Sequence, residues 1–376
     1  MQPSKVYFSD LRAKPGLNLL QKLEKLAQIA GISDIDFKNK FVAIKIHFGE
    51  PGNLAYLRPN YARVIVELVK TFGGKPFLTD CNTLYVGRRK DALEHLDAAY
   101  ENGYNPFSTA CQLIIADGLK GTDEAYIPVR NGQYVKEAKI GRAIADADII
   151  ISLNHFKGHE MTGFGGAIKN LGMGCGSRAG KMEMHSAGKP QVNSKHCVGC
   201  AVCTKICAHA AINLTDKKAK IDHLKCVGCG RCIGMCAFDA INPPFDESFD
   251  ILNAKMAEYT MAVLDNKPHF HLSLVIDVSP YCDCHAENDL PIVPDIGMFA
   301  SFDPVALDRA CADACNQAPV IPGSILSENL QAAKLQTETE FDRFAHTTHG
   351  TNWISTLEHA EKIGLGTQKY ELIKVK

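Results

Sequence analysis

Short runs of apolar and β-branched residues alternate with amphipathic stretches through the first half of the chain. The apolar runs predict strands at 5–9, 41–48, 76–80, 112–117 and 148–153. The stretches between them predict helices at 17–30, 59–72 and 88–102, and Asn131-Gly132 predicts a hairpin turn within 126–135. Strands that alternate with helices are typical of a mostly parallel sheet with flanking helices, so we expect an α/β fold.

This alternation stops near Lys189-Pro190 and resumes after Pro243-Pro244. The later part predicts a helix from about 249, strands at 269–278 and 295–300, and a helix with Asp303 as N-cap and Pro304 as its first residue. An insertion explains the interruption better than a tandem domain does. We therefore expect one discontinuous α/β domain, residues 1–187 and 247–376, interrupted by a small α+β domain at 188–246, called the insert below.

Composition narrows the class of protein. The 376 residues are 46% hydrophobic and 22% charged, an ordinary globular balance, and the formal net charge is −1. That charge gives no global field to attract nucleic acid or an anionic membrane. The amino terminus has no export signal, and no segment approaches the roughly 18 apolar residues of a membrane span. These features predict a cytoplasmic protein.

The insert contains two copies of one cysteine pattern, offset by 29 residues. The spacing, two, two and then three residues between cysteines, is that of bacterial ferredoxins with two [4Fe-4S] clusters, in which the fourth cysteine of each run ligates the other cluster. One cluster is then predicted to bind Cys197, Cys200, Cys203 and Cys236, and the second Cys226, Cys229, Cys232 and Cys207.

Two details of the cysteine runs keep other interpretations open. The proline that usually follows the fourth cysteine is Ala208 in one run and Ala237 in the other, which loosens a turn but removes no ligand. Pairs of Cys-x2-Cys can instead hold zinc, although four cysteines per run favour iron. Clusters can also be purely structural, whereas two in one small module suggest a route for single electrons.

A glycine-rich segment, residues 154–174, follows a predicted strand and precedes a short predicted helix. Loops at the carboxyl ends of strands bind ligands in open α/β sheets. We expect backbone amides of Gly163, Gly165 and Gly166 to hold an anionic substrate or a second cofactor. The alternative is a tight loop whose glycines only permit close packing. Charge and proton transfer are expected from Lys157, Lys169, His155 and His159.

Three other segments carry candidate chemistry. His47 follows a predicted strand and is assigned to the same catalytic group, although a single histidine there is more often a packing residue. Asp80-Cys81-Asn82-Thr83 follows another strand. Cys282-Asp283-Cys284-His285 could bind a metal or form a redox pair, or be a set of reduced bystander thiols.

Taken together, these motifs resemble the prokaryotic family of the domain of unknown function 362, whose members often carry a two-cluster ferredoxin insertion. The resemblance rests on the segments 45–53, 79–85, 155–174, 177–181, 294–297 and 303–308. It implies an iron-sulfur protein of anaerobes and no agreed reaction. More weakly, His159 to Lys169 looks like the stretch in which nickel-pincer lactate racemases hold their cofactor through His and Lys, with different lysine spacing and Gly in place of Ser.

The favoured function is an oxidoreductase that passes electrons from two [4Fe-4S] clusters to a substrate or second cofactor beside the glycine-rich segment. The expected partners are an electron donor or acceptor protein such as a ferredoxin or flavodoxin, and an anionic small molecule, with neither nucleic acid nor membrane. One alternative is a non-catalytic electron-transfer or assembly subunit. Another is an isomerase-like enzyme with an organometallic cofactor.

Overall fold

The computed structural model describes residues 2–84, 87–185, 189–228, 230–244, 248–335 and 341–376. Its strands are β1 (Ser4–Asp10), β2 (Phe41–Lys45), β3 (Lys75–Asp80), β4 (Leu113–Ile115), β5 (Glu124–Pro128), β6 (Glu137–Gly141), β7 (Ile149–His155), β8 (Lys157–His159), β9 (Gly163–Gly165), β10 (Gln191–Val192), β11 (Ile212–Thr215), β12 (Lys218–Ile221), β13 (Ile241–Asn242), β14 (His269–Val275), β15 (Gly297–Ser301) and β16 (Tyr370–Lys374).

Its helices are α1 (Leu19–Ile29), α2 (Pro59–Thr71), α3 (Ala92–Glu101), α4 (Pro106–Thr109), α5 (Arg142–Asp146), α6 (Ala167–Cys175), α7 (Arg178–His185), α8 (Val202–Ile206), α9 (Arg231–Gly234), α10 (Phe249–Leu264), α11 (Pro304–Gln317), α12 (Ile325–Ala332), α13 (Arg343–Thr347) and α14 (Trp353–Ile363), with a 3-10 turn at Ile32–Asp34. Among the described residues, no helix is long and apolar enough to cross a membrane.

The main sheet has eight strands in the order β16-β1-β15-β14-β7-β2-β3-β4 within the described ranges. Strand β15 runs antiparallel to both of its neighbours, and every other adjacent pair is parallel. The mostly parallel α/β fold predicted from the sequence is therefore confirmed. Strand β7 is buried along its whole length, as expected for a parallel strand covered on both faces.

Helices cover both faces of this sheet. Successive residues of β2 point to opposite faces, so Val42 and Ile44 pack beneath α1 and α2, whereas Ala43 packs beneath α6, α10 and α11.

The sequence pattern predicted the start of α11 correctly, since Asp303 accepts hydrogen bonds from Val305 N and Ala306 N and Pro304 begins the helix. The predicted helix at 88–102 begins only at Ala92, because Asp91 is its N-cap.

The insert repeats its backbone as well as its sequence. Positive φ angles recur 29 residues apart, at Gly199 and Gly228, at Ala201 and Gly230, and at Ala210 and Asp239. Each copy supplies one short helix, α8 or α9, and its strands pair antiparallel as β10 with β13 and β11 with β12. Tyr85, Cys229 and both predicted domain boundaries lie outside the described residues.

Candidate functional site

A polar cleft lies at the carboxyl edge of the parallel strands, where ligands bind in open α/β sheets. Lys45 ends β2 and Asp80 ends β3, and their side chains form a buried ion pair at 3.0 Å. About 50 Å³ of the cleft is open to the centres of water-sized molecules, which is room for a few waters or a small polar group. Its lining residues are Lys45, His47, Asp80, Cys81, Thr83, Arg89, Lys169, Asn170, Met173, Gly174, Lys181, Cys282 and Cys284.

The side chains of Lys169 and Cys282 are in contact within this cleft. Lys169 extends from the first turn of α6, and its Nζ donates to Cys282 Sγ at 3.1 Å. A hydrogen bond from Cys284 lowers the pKa of Cys282 well below its usual value despite burial, and Lys169 and Lys157 lower it further. The same hydrogen bond and burial raise the pKa of Cys284. These opposite shifts favour a thiolate at Cys282 and a thiol at Cys284.

Asp283, between the two cysteines in sequence, anchors their loop through buried contacts. Its carboxylate lies 2.9 Å from His155 Nδ1 and 3.2 Å from Lys157 Nζ, and all three side chains are buried. Burial opposes ionisation, yet His155 and Lys157 hold the pKa of Asp283 well below its usual value. His155 and Lys157 therefore orient the cysteine loop, and neither of them lines the cleft itself.

His47 lines the cleft beside Arg89. His47 Nδ1 accepts from the Gly49 amide at 3.0 Å, and its Nε2 lies 2.9 Å from Arg89 Nη1. Burial and the adjacent guanidinium lower the pKa of His47 well below its usual value, so the ring is neutral. Arg89 is anchored by Glu50 at 2.8 Å. The sequence analysis predicted Arg89 only as part of a helix and not as a site residue. The basic run 88–90, which follows a loop at the end of a strand, is the signal that could have identified it.

His159 also reaches the cysteine pair. Its Nδ1 accepts from the amides of Met161 and Thr162, at 3.1 and 3.2 Å, so the imidazole is held rigidly in the turn after β8. A hydrogen bond from His159 contributes to the low pKa of Cys282. The structure thus brings His159, Lys157 and Lys169 around one cysteine, and His47 lines the same cleft.

The three predicted cofactor-binding glycines have different surroundings. A Cβ at Gly165 would lie 3.2 Å from Lys169 Cδ, so the absence of a side chain at Gly165 leaves room for Lys169. Gly163 has a φ of +78° and packs against Trp353. Gly166 precedes α6, but the first amides of this helix, at 167 and 168, already donate to Asp308 at 2.7 and 2.9 Å. These two helix amides are therefore already satisfied, whereas anion binding by the amides of Gly163, Gly165 and Gly166 themselves stays a prediction.

The insert gathers cysteines of both runs around one cavity. Cys197, Cys200 and Cys203 of the first run and Cys236 of the second line this cavity. Ala219 N donates to Cys197 Sγ and Ala240 N to Cys236 Sγ, both at 3.3 Å. Burial raises the pKa of Cys203, and the neighbouring thiols of Cys197, Cys200 and Cys236 raise it further.

The other predicted set is only partly within the described ranges. Cys207 and Cys232 belong to the same apolar core of the insert, and Cys226 is half-buried. Cys207 Sγ accepts from Ala211 N at 3.3 Å, which matches the bond of Cys236 with Ala240 in the other copy. The position of Cys229 lies outside the described residues.

Two segments of the α/β domain contact both the insert and the cleft through neighbouring residues. Leu84 and Met182 pack into the apolar core of the insert with Cys232, whereas Thr83 and Lys181 line the cleft. Neighbouring Cα atoms are about 3.8 Å apart, so a single peptide unit separates the two environments in each segment.

Arg178 strengthens this junction between the insert and the α/β domain. The side chain is buried and lies against the backbone of α9, where a Cβ at Gly230 would be 2.8 Å from its Cγ and one at Gly234 would overlap its guanidinium. Lys90 of the α/β domain also pairs with Asp239 of the insert. Buried packing and an ion pair therefore join the insert to the α/β domain.

Comparisons with solved structures find distant likenesses. The lactate racemase apoprotein from Thermoanaerobacterium thermosaccharolyticum is 12% identical with a TM-score of 0.36, covering 72% of this chain and 50% of that one. A crystal structure of a Thermotoga maritima protein is 13% identical with a TM-score of 0.42, covering 81% of this chain and 59% of that one.

Sequence comparison finds one curated relative and a family. A thylakoid-associated protein of Synechocystis is 27% identical over 131 residues, which cover 33% of this chain and 35% of that protein. The match thus spans about a third of the relative's length. Residues 42–313, more than half of the chain, match the domain of unknown function DUF362. The chain therefore belongs to the DUF362 family.

Proposed function

We propose that this protein is an iron-sulfur oxidoreductase, in which the insert holds two [4Fe-4S] clusters and the polar cleft binds the molecule that is reduced or oxidised. The observation that carries the proposal is the cavity shared by Cys197, Cys200, Cys203 and Cys236, because cysteines from both runs meet there as in two-cluster ferredoxins.

The residues of this cavity fit a cubane cluster. Four thiols surround one space, and backbone amides donate to two of the sulfurs, the kind of hydrogen bond that tunes cluster potentials. Cys226, Cys229, Cys232 and Cys207 would hold the second cluster. Four cysteines can also hold zinc, but the spacing of two, two and three residues between the cysteines of each run is that of two-cluster ferredoxins. When bound, the clusters would supply single electrons to the adjacent cleft.

The cleft favours an anionic substrate. Four cationic side chains line it, of which Lys45 is paired with Asp80, Arg89 with Glu50 and Lys169 with Cys282. Lys181 donates to the carbonyl oxygens of Gly176 and Gly174, at 2.6 and 3.5 Å, which carry no net charge. A carboxylate or phosphate group would complement this excess of positive charge.

The cysteine pair gives the cleft its reactive group. The Cys282 thiolate lies on the cleft wall with Lys169 as its counter-ion and the Cys284 thiol beside it. A thiolate is the nucleophilic and redox-active form of cysteine. Lys169 and the neutral His47 are positioned to donate or accept protons as a substrate gains or loses electrons.

Electrons are proposed to enter through the outer face of the insert. Cys200 is exposed there, and the cavity rim carries exposed apolar side chains, with Val198 55% and Phe238 47% exposed. Residues 189–244 contain eight Lys and Arg against three Asp, although the whole chain has a net charge of −1. An acidic redox carrier of the ferredoxin or flavodoxin type would complement this basic, apolar-rimmed surface.

The experiment uses anaerobically purified protein whose clusters are reduced and then mixed with panels of small carboxylates and phosphate esters. Reoxidation of the clusters is followed by their visible absorbance. The proposal expects at least one compound class to accelerate reoxidation, and both Lys169→Met and Cys282→Ser to abolish the acceleration. Lys362→Met, at an exposed helix position, is the matched control. If both variants exchange electrons with carriers at full rate and no compound accelerates reoxidation, the protein is an electron carrier.

A further inference from the structure

Three potential metal ligands lie together beside the cleft, away from the cysteines of the insert. Glu160 comes from the turn after β8, and Cys284 and His285 come from the loop after β14. One ligand atom from each lies within 4.8 Å of the others. His285 Nε2 is 2.9 Å from Glu160 Oε1. If the distances among these three atoms shortened by about an ångström, one zinc ion could bind all three with bond lengths of roughly 2.0 to 2.3 Å.

The backbone holds these two loops together without help from the three ligands. Gly158 N donates to Ser279 O at 2.8 Å, and a Cβ at Gly158 would lie 2.5 Å from Pro280 O, so only glycine permits this approach. Asn53 Nδ2 donates to His285 O at 3.0 Å. The three ligands are therefore presented by a preorganised frame.

One carboxylate oxygen of Glu160 is available for a further ligand. Its Oε2 is buried and has no hydrogen-bond partner among the described residues, whereas its Oε1 contacts His285. Buried polar atoms are normally satisfied, so this carboxylate oxygen, beside a thiol and an imidazole, is available to bind a cation. A set of sulfur, nitrogen and oxygen donors suits zinc, iron(II) or cobalt(II) and disfavours magnesium and calcium, which prefer oxygen ligands alone.

We propose that Glu160, Cys284 and His285 bind one divalent transition metal of the zinc class at the edge of the cleft. Cys284 would bind as a thiolate, so binding releases to solvent the proton that Cys284 otherwise donates to Cys282. Three protein ligands leave a coordination position open, as in catalytic zinc sites, and Cys284 itself lines the cleft. An oxygen of the anionic substrate, or water, would occupy that position. The metal site itself does not depend on the clusters.

The test measures zinc binding to the anaerobically purified full chain, by competition with a zinc indicator and by elemental analysis, with iron and sulfide counted in the same samples. We expect one zinc ion per chain with the iron content unchanged. Glu160→Gln and His285→Ala should each weaken zinc binding at least roughly 10- to 100-fold, since even outer-shell substitutions cost that much. Both side chains are partly exposed, so the variants should fold.

Glu287→Gln is the matched control, because Glu287 is exposed and acts on His285 only through its charge. It should bind zinc like the unsubstituted chain. Equal zinc affinity in all variants, or no zinc retained by the unsubstituted chain, would overturn the site. Zinc that is taken up only as iron is lost would belong to the cysteines of the insert and would also overturn it.

Discussion

Lys169 Nζ lies 3.1 Å from Cys282 Sγ, although the two residues are 113 positions apart in the chain. One stands in the first turn of α6 and the other in the loop after β14, so the contact exists only because β14 pairs parallel with β7 and brings the two loops together. The consequence is a buried thiolate with a fixed counter-ion on the wall of the cleft.

Removing that counter-ion should make Cys282 less reactive. In Lys169→Met we expect the pKa of Cys282 to rise, because the variant loses one of the cations that stabilise the thiolate. Alkylation of Cys282 by iodoacetamide at pH 7 should slow by roughly tenfold or more, and its pH profile should move to higher pH. Mass spectrometry of the peptide that contains Cys282 measures the rate under anaerobic conditions.

Lys362→Met controls for the loss of a lysine in general, since Lys362 donates to Gln133 on an exposed surface away from the cleft lining. It should leave the alkylation profile unchanged. An unaltered profile in Lys169→Met would mean that the contact with Cys282 does not stabilise the thiolate in solution.

Neutralising Asp283 should destabilise the loop that carries both cysteines. Asp283→Asn leaves Lys157 as a buried charge without its carboxylate, and breaking a buried ion pair costs about 3 to 5 kcal/mol. Chemical denaturation followed by circular dichroism measures this loss. For comparison, Glu67→Gln breaks the exposed pair with Arg63 and should cost less than about 1 kcal/mol. Equal effects of the two substitutions would contradict the role assigned to Asp283.

Asp308 should make stability depend on pH. Burial raises the pKa of its carboxyl from 3.8 to about 7, so the folded state binds a proton that the unfolded state releases. The resulting stabilisation is complete below about pH 4 and is lost as the pH rises through about 7, at most roughly 4 kcal/mol in all. Asp308→Asn cannot titrate and should lose this fall in thermal midpoint between pH 5 and 8. An equal slope in the variant would assign the pH dependence to other groups.

The sequence predicted the architecture better than the site. Strand and helix periodicity located the main sheet, and the Asp303-Pro304 cap located α11, because these signals are local. The start of α3 was misplaced, since Arg89 satisfies the periodicity of a helix but instead bonds with Glu50, a residue 39 positions away.

Within the site, residue types were predictable and their roles were not. Lys169 and His159 were expected at the cleft, but nothing local links them to Cys282. The residues after Gly166 illustrate the same difficulty, because Asp308, 142 positions from Gly166, accepts hydrogen bonds from the first amides of α6. Partners so distant in sequence meet only through strand order, which periodicity does not determine.

The exchange of fourth cysteines between the two runs can be tested separately. Cys236 belongs to the second run but lines the cavity of the first, so Cys236→Ser should lose the cluster held by Cys197, Cys200 and Cys203. About four irons per chain should remain if the second cluster survives. Cys315→Ser, which changes a buried cysteine of α11, is the matched control and should keep all iron. Retention of all iron in Cys236→Ser would contradict the exchange.

The most direct measurement of the central claim is the iron and acid-labile sulfide content of the protein purified without oxygen. Two [4Fe-4S] clusters predict about eight irons and eight sulfides per chain, with absorbance that bleaches on reduction and is lost in air. Zinc in place of iron, or iron without sulfide, would contradict the claim that the insert is an electron-transfer module.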